Sequence, residues 1–300
     1  MAVWVPRVLV VGRSFLWDRW HRPRDNFPVH DGGQEPWVCM ATGADEPPRQ
    51  PSMQFEGLTE ELLRSLLIEI DPERVGTCIE IGVGTYHWYS DLFARAGFRS
   101  VAIEPIPAQP FLERLREGGI TFYEGVVADR DGAACLYLGK GGDTNLSSIR
   151  KDWWAATAET KTVPAMTLAS VMAWANIERL TCLKVDAEGS EADILKQLRD
   201  FPPERLPDVV VFEFGAAVWS ETKWLDHFDA QTMECLRILR DTGYGQLMTL
   251  DVFSEVRLGD LRVDLDPRLY FGENSQAGNA IASRVGWQVP GHIRLVRTWG

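Results

Sequence analysis

Cysteine is sparse and scattered: Cys39, Cys78, Cys135, Cys182 and Cys235 are the only five in 300 residues, and no two of them form a CxxC pair. That spacing offers neither a zinc knuckle nor a disulfide framework. It predicts reduced, mostly buried thiols. Long apolar runs are missing as well. No stretch approaches the ~20 residues needed to cross a bilayer, and the opening MAVWVPRVLVVGRSFLW is interrupted by Pro6 and Arg7 and carries no basic leader. A cytoplasmic protein with no membrane partner is therefore expected. Basic runs are absent too: 31 Lys and Arg stand against 43 Asp and Glu, a formal net charge of −12. Such a balance opposes binding to a phosphate backbone, so nucleic acid is not an expected partner. No internal repeat or low-complexity tract occurs.

What is present is enough apolar material for a core, 45% of the chain, and a length that suits one large domain or two small ones. Residues 1–56 carry Trp4, Trp17, Trp20 and Trp37 among Pro, Gly and Arg, with one strand-like run at Val8 to Val11. They read as an irregular N-terminal extension. Disordered tails are poor in aromatics, so this one is expected to pack, either on its own chain as a lid over the acceptor pocket or against a second subunit of a homodimer. From Leu58 the pattern changes. Thr59 can cap a helix whose leucines at 62, 63, 66 and 67 form one stripe. Strand-like runs follow at 77–81, 100–103, 120–126, 181–186 and 208–214, separated by helical patterns near 87–96, 108–117, 190–199 and 229–242. Alternation of this kind predicts a doubly wound, mostly parallel sheet over residues 57–300. The segment 127–180 is too long for a simple crossover and suits a hairpin at the sheet edge. QLMTLDVF and NAIASR suit a hairpin that closes the sheet.

The segment IEIGVGTYHWYS, residues 79–90, ends the first of these strands with a carboxylate and two glycines. In open α/β sheets ligands bind beyond the carboxyl ends of the strands, and glycines let the backbone approach them. A dinucleotide fingerprint needs GxGxxG, but His87 stands where the third glycine belongs, which counts against a nicotinamide-dependent oxidoreductase. Glu80, two residues before Gly82, would repel a pyrophosphate and suits a ligand with an ammonium group. S-adenosylmethionine has one. Glu104 ends the next strand, where an acidic side chain can accept from ribose hydroxyls; the bland alternative is a solvated strand-end charge.

The runs IEIGVGTYHWYSDLFARAGFRSVAIEPIP, GVVADRDGAACLYL, TNLSSI, VPAMTLASVM and above all LKVDAEGSEADILKQL resemble the FkbM family of S-adenosylmethionine-dependent methyltransferases over about residues 75–215, with an echo in GNAIAS. The resemblance implies a seven-stranded Rossmann-like class I methyltransferase fold. It implies that Glu80, Gly82, Gly84 and Thr85 line the methionine moiety, Glu104 and Pro105 the ribose, and Ala128 and Asp129 the adenine, although Asp129 could equally form the turn in ADRDG. Asp186 would sit where the sulfonium methyl meets its acceptor, and Asp186, Glu188, Glu213 and His87, in that order, are the base or orienting candidates. The alternative for the glutamates is that Ser190 caps the helix behind them and Glu188 and Glu191 complement its positive end. Three carboxylates could hold Mg²⁺, but no compact ligand motif is present and no metal is expected. The chain departs from the family's usual loop: Glu80 replaces an Asp and Tyr86 a glycine. The implied reaction is O-methylation of a small-molecule hydroxyl on a sugar or natural product; the alternative from another class is a non-catalytic protein that keeps the fold and binds the donor.

Overall fold

The computed structural model describes residues 7–12, 51–85, 88–215, 223–251, 255–262, 277–286 and 293–298. Much of the stretch 1–56, together with Tyr86 and His87 of the glycine loop, lies outside the described residues.

The strands are β1 (Arg7–Gly12), β2 (Thr77–Ile81), β3 (Arg99–Ile103), β4 (Ile120–Tyr123), β5 (Val126–Val127), β6 (Gly132–Gly139), β7 (Ala156–Met166), β8 (Leu180–Val185), β9 (Val209–Gly215), β10 (Gln246–Asp251), β11 (Glu255–Asp260), β12 (Ala277–Ser283) and β13 (Ile293–Thr298). The helices are α1 (Pro51–Ile70), α2 (Tyr89–Arg95), α3 (Gln109–Arg116), α4 (Leu168–Trp174), α5 (Glu191–Lys196) and α6 (Lys223–Asp241). Seven strands lie side by side in the order β4-β3-β2-β8-β9-β12-β10. β4, β3, β2, β8 and β9 are mutually parallel, and β12 runs antiparallel to both β9 and β10. The expected seven-stranded sheet is therefore present, but it continues past β10 through antiparallel β11, β1 and β13, which makes ten strands. The run at Val8 to Val11 is part of that continuation, with Val8 opposite both Val256 and Arg297.

Strand alternation sorts the core onto two faces. Ile79, Ile81, Leu183, Val185, Val210 and Phe212 pack with Leu168, Val171 and Ile194 from the helices on one side. Cys78, Cys182, Val209 and Val211 pack with the α1 leucines 62, 63, 66 and 67 and with Tyr89 and Phe93 on the other. Parallel strands covered on both faces read as continuous apolar runs, as TCIEI and DVVVFEF do. Cys78, Cys182 and Cys235 are buried as expected, whereas Cys135 is exposed.

Three expectations need correction. α1 begins at Pro51, eight residues before Thr59, because proline is well suited to the first helical position; Thr59 is buried within the helix and is not its N-cap. The strand expected over 120–126 is two strands in different sheets. A Cβ on Gly125 would come within 2.5 Å of the Tyr123 ring and 2.7 Å of the Pro164 carbonyl oxygen, so only glycine lets the chain leave β4 here and enter β5. β5 then joins the β6/β7 hairpin in a separate three-stranded sheet. Finally, Ser190 precedes α5 but makes no side-chain cap.

Candidate functional site

A cleft opens at the carboxyl ends of β2, β3 and β8, lined among others by Gly82, Gly84, Glu104, Val127, Asn145 and Asp186. Its floor is the glycine loop. Gly82 has φ +77, and a Cβ there would lie 1.6 Å from the carbonyl oxygen of Asp186, so the loop crosses the end of β8 in backbone contact. Gly84 has φ +61, and a Cβ on it would come 3.2 Å from Oδ1 of Asn145.

The two carboxylates assigned to the donor occupy different places. Glu104 is buried and lines the cleft with Pro105. Its Oε2 accepts from the amides of Val83 (3.0 Å) and Gly84 (3.3 Å), and its Oε1 from that of Ile106 (2.9 Å). It thereby joins the glycine loop to the end of β3. Glu80 does not line the cleft. Its side chain points to the α1/α2 face, where it accepts from the amides of Tyr89 (3.0 Å) and Ser90 (2.7 Å) at the start of α2. The strand alternation that puts Ile79 and Ile81 on one face puts Glu80 on the other, and the amide ends of the next helix supply its partners.

Ala128 and Asp129 also lie off the cleft, whose wall here is Gly125, Val126 and Val127. The switch at Gly125 moves the lining upstream: the Ala128 amide donates to the carbonyl of Met166 (2.9 Å), and Asp129 is exposed. Thr85 sits beside the cleft, its Oγ1 accepting from Nδ2 of Asn145 (2.9 Å).

Asp186, Glu188 and Glu213 converge, with one carboxylate oxygen from each lying within 4.8 Å of the others. Asp186 also receives Nζ of buried Lys184 at 3.1 Å. Burial works against the lysine's charge, but Asp186 and the more distant Glu56 and Glu213 outweigh it and push its pKa up to about 12. Its Nζ further lies 5.3 Å from the centre of the Tyr89 ring. Glu188 adopts φ +48, uncommon outside glycine. It is held there by Trp153, whose Nε1 donates to Oε2 at 3.1 Å and whose ring lies so close to Gly189 that a Cβ would come within 2.4 Å. Burial, then the charges of Asp186 and Glu191, push the Glu188 carboxyl well above its ordinary range. The turn itself is closed by Glu191, which accepts from the amides of Ala187 (2.8 Å) and Gly189 (3.1 Å). Both amides lie ahead of α5, so Glu191 fixes the turn and does not replace Ser190 as a cap; Ser190 lines the cleft, and its Oγ is buried without a partner. Three carboxylates at this spacing could also hold a hard cation. No spacing along the chain announces the group, because Glu213 arrives from a neighbouring strand.

Sequence reasoning also missed Lys184, Trp153, Asn145 and Asn279. Asn279, in the GNAIAS run, stands opposite Glu213 in the β9/β12 register, and its Nδ2 donates to Tyr89 Oη (3.3 Å) and to both oxygens of Glu56 (3.3 and 3.4 Å). A usable signal was present: with Cys78 and Val211 facing α1, period-two alternation places Glu80, Lys184 and Glu213 on that same face.

Glu80 and Glu191 are both pushed up to about 7 from an ordinary 4.5, chiefly by burial. The folded protein then keeps protons that the unfolded chain has lost above about 4.5. Their contribution is fully present below that pH and is lost as pH rises toward 7. Thermal unfolding followed from pH 5 to 8 should show stability falling with pH from these groups, and Glu80→Gln should flatten the slope. An equal slope in the variant would contradict the assignment.

The cleft fits S-adenosylmethionine. A glycine loop with no room for a Cβ over the end of β8, a carboxylate at the end of β3, and unpartnered acceptor and hydroxyl atoms on Asn145 and Ser190 suit a ligand carrying an ammonium and ribose hydroxyls. Seven strands in this order, with only β12 reversed and the cleft at their carboxyl ends, define a Rossmann-like class I methyltransferase fold. The family model described as the Methyltransferase FkbM domain matches residues 75–244, and the chain belongs to that family of methyltransferases, with S-adenosylmethionine as cofactor. No curated protein matches it. Similar solved structures include the geranyl diphosphate C-methyltransferase of Streptomyces coelicolor A3(2) in complex with Mg²⁺, geranyl diphosphate and S-adenosyl-L-homocysteine, at 13% identity and TM-score 0.40 over 81% of this chain and 86% of that one. A geranyl diphosphate methyltransferase in complex with SAM is similar at 12% identity and TM-score 0.38, over 78% and 87%. A TehB-like SAM-dependent methyltransferase from Corynebacterium glutamicum gives 10% identity and TM-score 0.32 over 78% and 98%. Among the described residues no helix is long and apolar enough to cross a membrane.

Proposed function

We propose that the chain methylates a hydroxyl of a small molecule, a sugar or natural-product acceptor, and that Asp186, Glu188 and Glu213 receive and orient that hydroxyl. The observation that carries this reading is the convergence of three carboxylates within 4.8 Å beside the glycine loop. When bound, S-adenosylmethionine supplies an electrophilic methyl group on a sulfonium. The loop, Glu104 and Pro105 would hold it. A hydroxyl attacks poorly while protonated, so a carboxylate that takes its proton lowers the barrier, and one that only accepts its hydrogen bond fixes the in-line approach. Asp186 is the first choice for the proton because it follows β8 directly, beneath the glycine loop, while Lys184 fixes its Oδ2. Glu188, raised by its surroundings and anchored by Trp153, orients the acceptor. Glu213 closes the group from β9. His87 and the Trp-rich stretch, as further acceptor-side elements, lie outside the described residues. The net charge of −12 supports a small acceptor over a nucleic acid.

A mass-resolved screen of hydroxylated small molecules with isotopically labelled donor, run with and without chelator, tests the proposal. Label on an acceptor oxygen, unaffected by chelator, is the expected result. Transfer abolished by chelator would reassign the three carboxylates to a divalent cation. A protein that binds the donor and methylates no member of any acceptor class would favour the non-catalytic alternative.

A further inference from the structure

The β6/β7 hairpin contributes one side chain whose bonding is half complete. Asn145 lies in the short turn Thr144–Leu146 after β6, where its amide donates to Oδ1 of Asp143 at 3.0 Å and fixes the backbone. Its side-chain Nδ2 donates to Thr85 Oγ1 at 2.9 Å, which ties the hairpin to the glycine loop across 60 positions of sequence. Its Oδ1 is buried without a partner, and the residue is part of the cleft wall. A buried amide oxygen without a donor costs about 1–3 kcal/mol, so this atom calls for one from a ligand.

S-adenosylmethionine offers three kinds of hydrogen-bond donor: the adenine amine, the ribose hydroxyls and the methionine ammonium. Val126 and Val127, in the cleft wall, offer the adenine an apolar surface. The ribose hydroxyls belong with Glu104 at the end of β3. Oδ1 of Asn145 lies against Gly84 and its Nδ2 against Thr85, both in the loop that follows β2. We infer that Asn145 accepts a hydrogen bond from the ammonium of the methyl donor and sets the position of its amino-acid end. The inference rests on the donor-binding reading of the cleft. Thr85 is then a positioning residue that acts through Asn145.

Two ligands separate the possibilities. S-adenosylhomocysteine has the amino-acid end; 5′-methylthioadenosine keeps the adenine, ribose and sulfur but lacks it. Calorimetry with Asn145→Ala should show S-adenosylhomocysteine weakened about tenfold and 5′-methylthioadenosine bound as tightly as by the wild type, which also certifies that the variant is folded. Thr85→Val should weaken the first ligand less and the second not at all. Equal weakening of both ligands by Asn145→Ala overturns the assignment to the ammonium, and unchanged binding of both overturns any donor role for Asn145. If the wild-type protein binds neither ligand, the donor reading itself fails and the inference falls with it.

Discussion

Asp186→Asn is expected to lower turnover by about 10²- to 10⁴-fold, the usual span for a positioned acid or base, while donor affinity changes little. The side chain follows β8 at the base of the glycine loop, shares its charge with Lys184 at 3.1 Å, and faces Glu188 and Glu213 within 4.8 Å. An amide keeps the shape and removes the proton acceptor. Glu188→Gln should act in the same direction with a smaller effect, because the amide oxygen can still accept from Trp153 and keep the side chain in place. Single-turnover rates and S-adenosylhomocysteine titrations on the same preparations separate chemistry from binding. Turnover left intact by either replacement would reduce that residue to a carboxylate at the start of α5.

Gly82→Ala is expected to disrupt both stability and donor binding. The new methyl, fixed in place by the backbone at residue 82, would lie 1.6 Å from the Asp186 carbonyl oxygen, itself a backbone atom. Neither side can give easily, because the Asp186 amide is bonded to the carbonyl of Ile81 at 2.9 Å and the Gly82 amide to that of Ile103 at 2.9 Å. We expect a loss of about 2–4 kcal/mol in denaturant unfolding, combining overpacking with a left-handed conformation. Gly118→Ala is the control: φ is +82 there, but nothing lies within 4 Å of the added carbon. Its loss should stay near 1 kcal/mol. Similar losses at the two positions would show that conformation, and not the crossing over β8, restricts residue 82.

The alternating β/α pattern was legible because buried parallel strands leave short apolar runs and the helices leave periodic stripes. TCIEI, SVAI, TCLKVD and DVVVFEF each match a strand to within a residue or two. Of the residues the sequence offers for the donor, Gly82, Gly84, Glu104 and Pro105 line the cleft. What could not be read depended on partners that only the fold brings together. Glu80 looks like a ligand carboxylate at a strand end, yet the first amides of α2, nine and ten residues on, satisfy it. Asp129 looks like an adenine contact, yet the break at Gly125 carries the chain into another sheet before it arrives. The three-strand continuation of the sheet joins residues near 8, 256 and 296, which no local pattern links. Asn145 has no local pattern that marks it within TNLSSI, since only the folded hairpin brings it to Thr85 and Gly84.

The most direct test of the cleft as the donor site is calorimetric titration of S-adenosylhomocysteine and 5′-methylthioadenosine into the wild-type protein and Glu104→Ala. The wild type should bind both. The variant should lose about 1–3 kcal/mol for each, because both ligands carry the ribose that Glu104 is assigned to hold. Unchanged affinity in a folded Glu104→Ala protein would contradict the account.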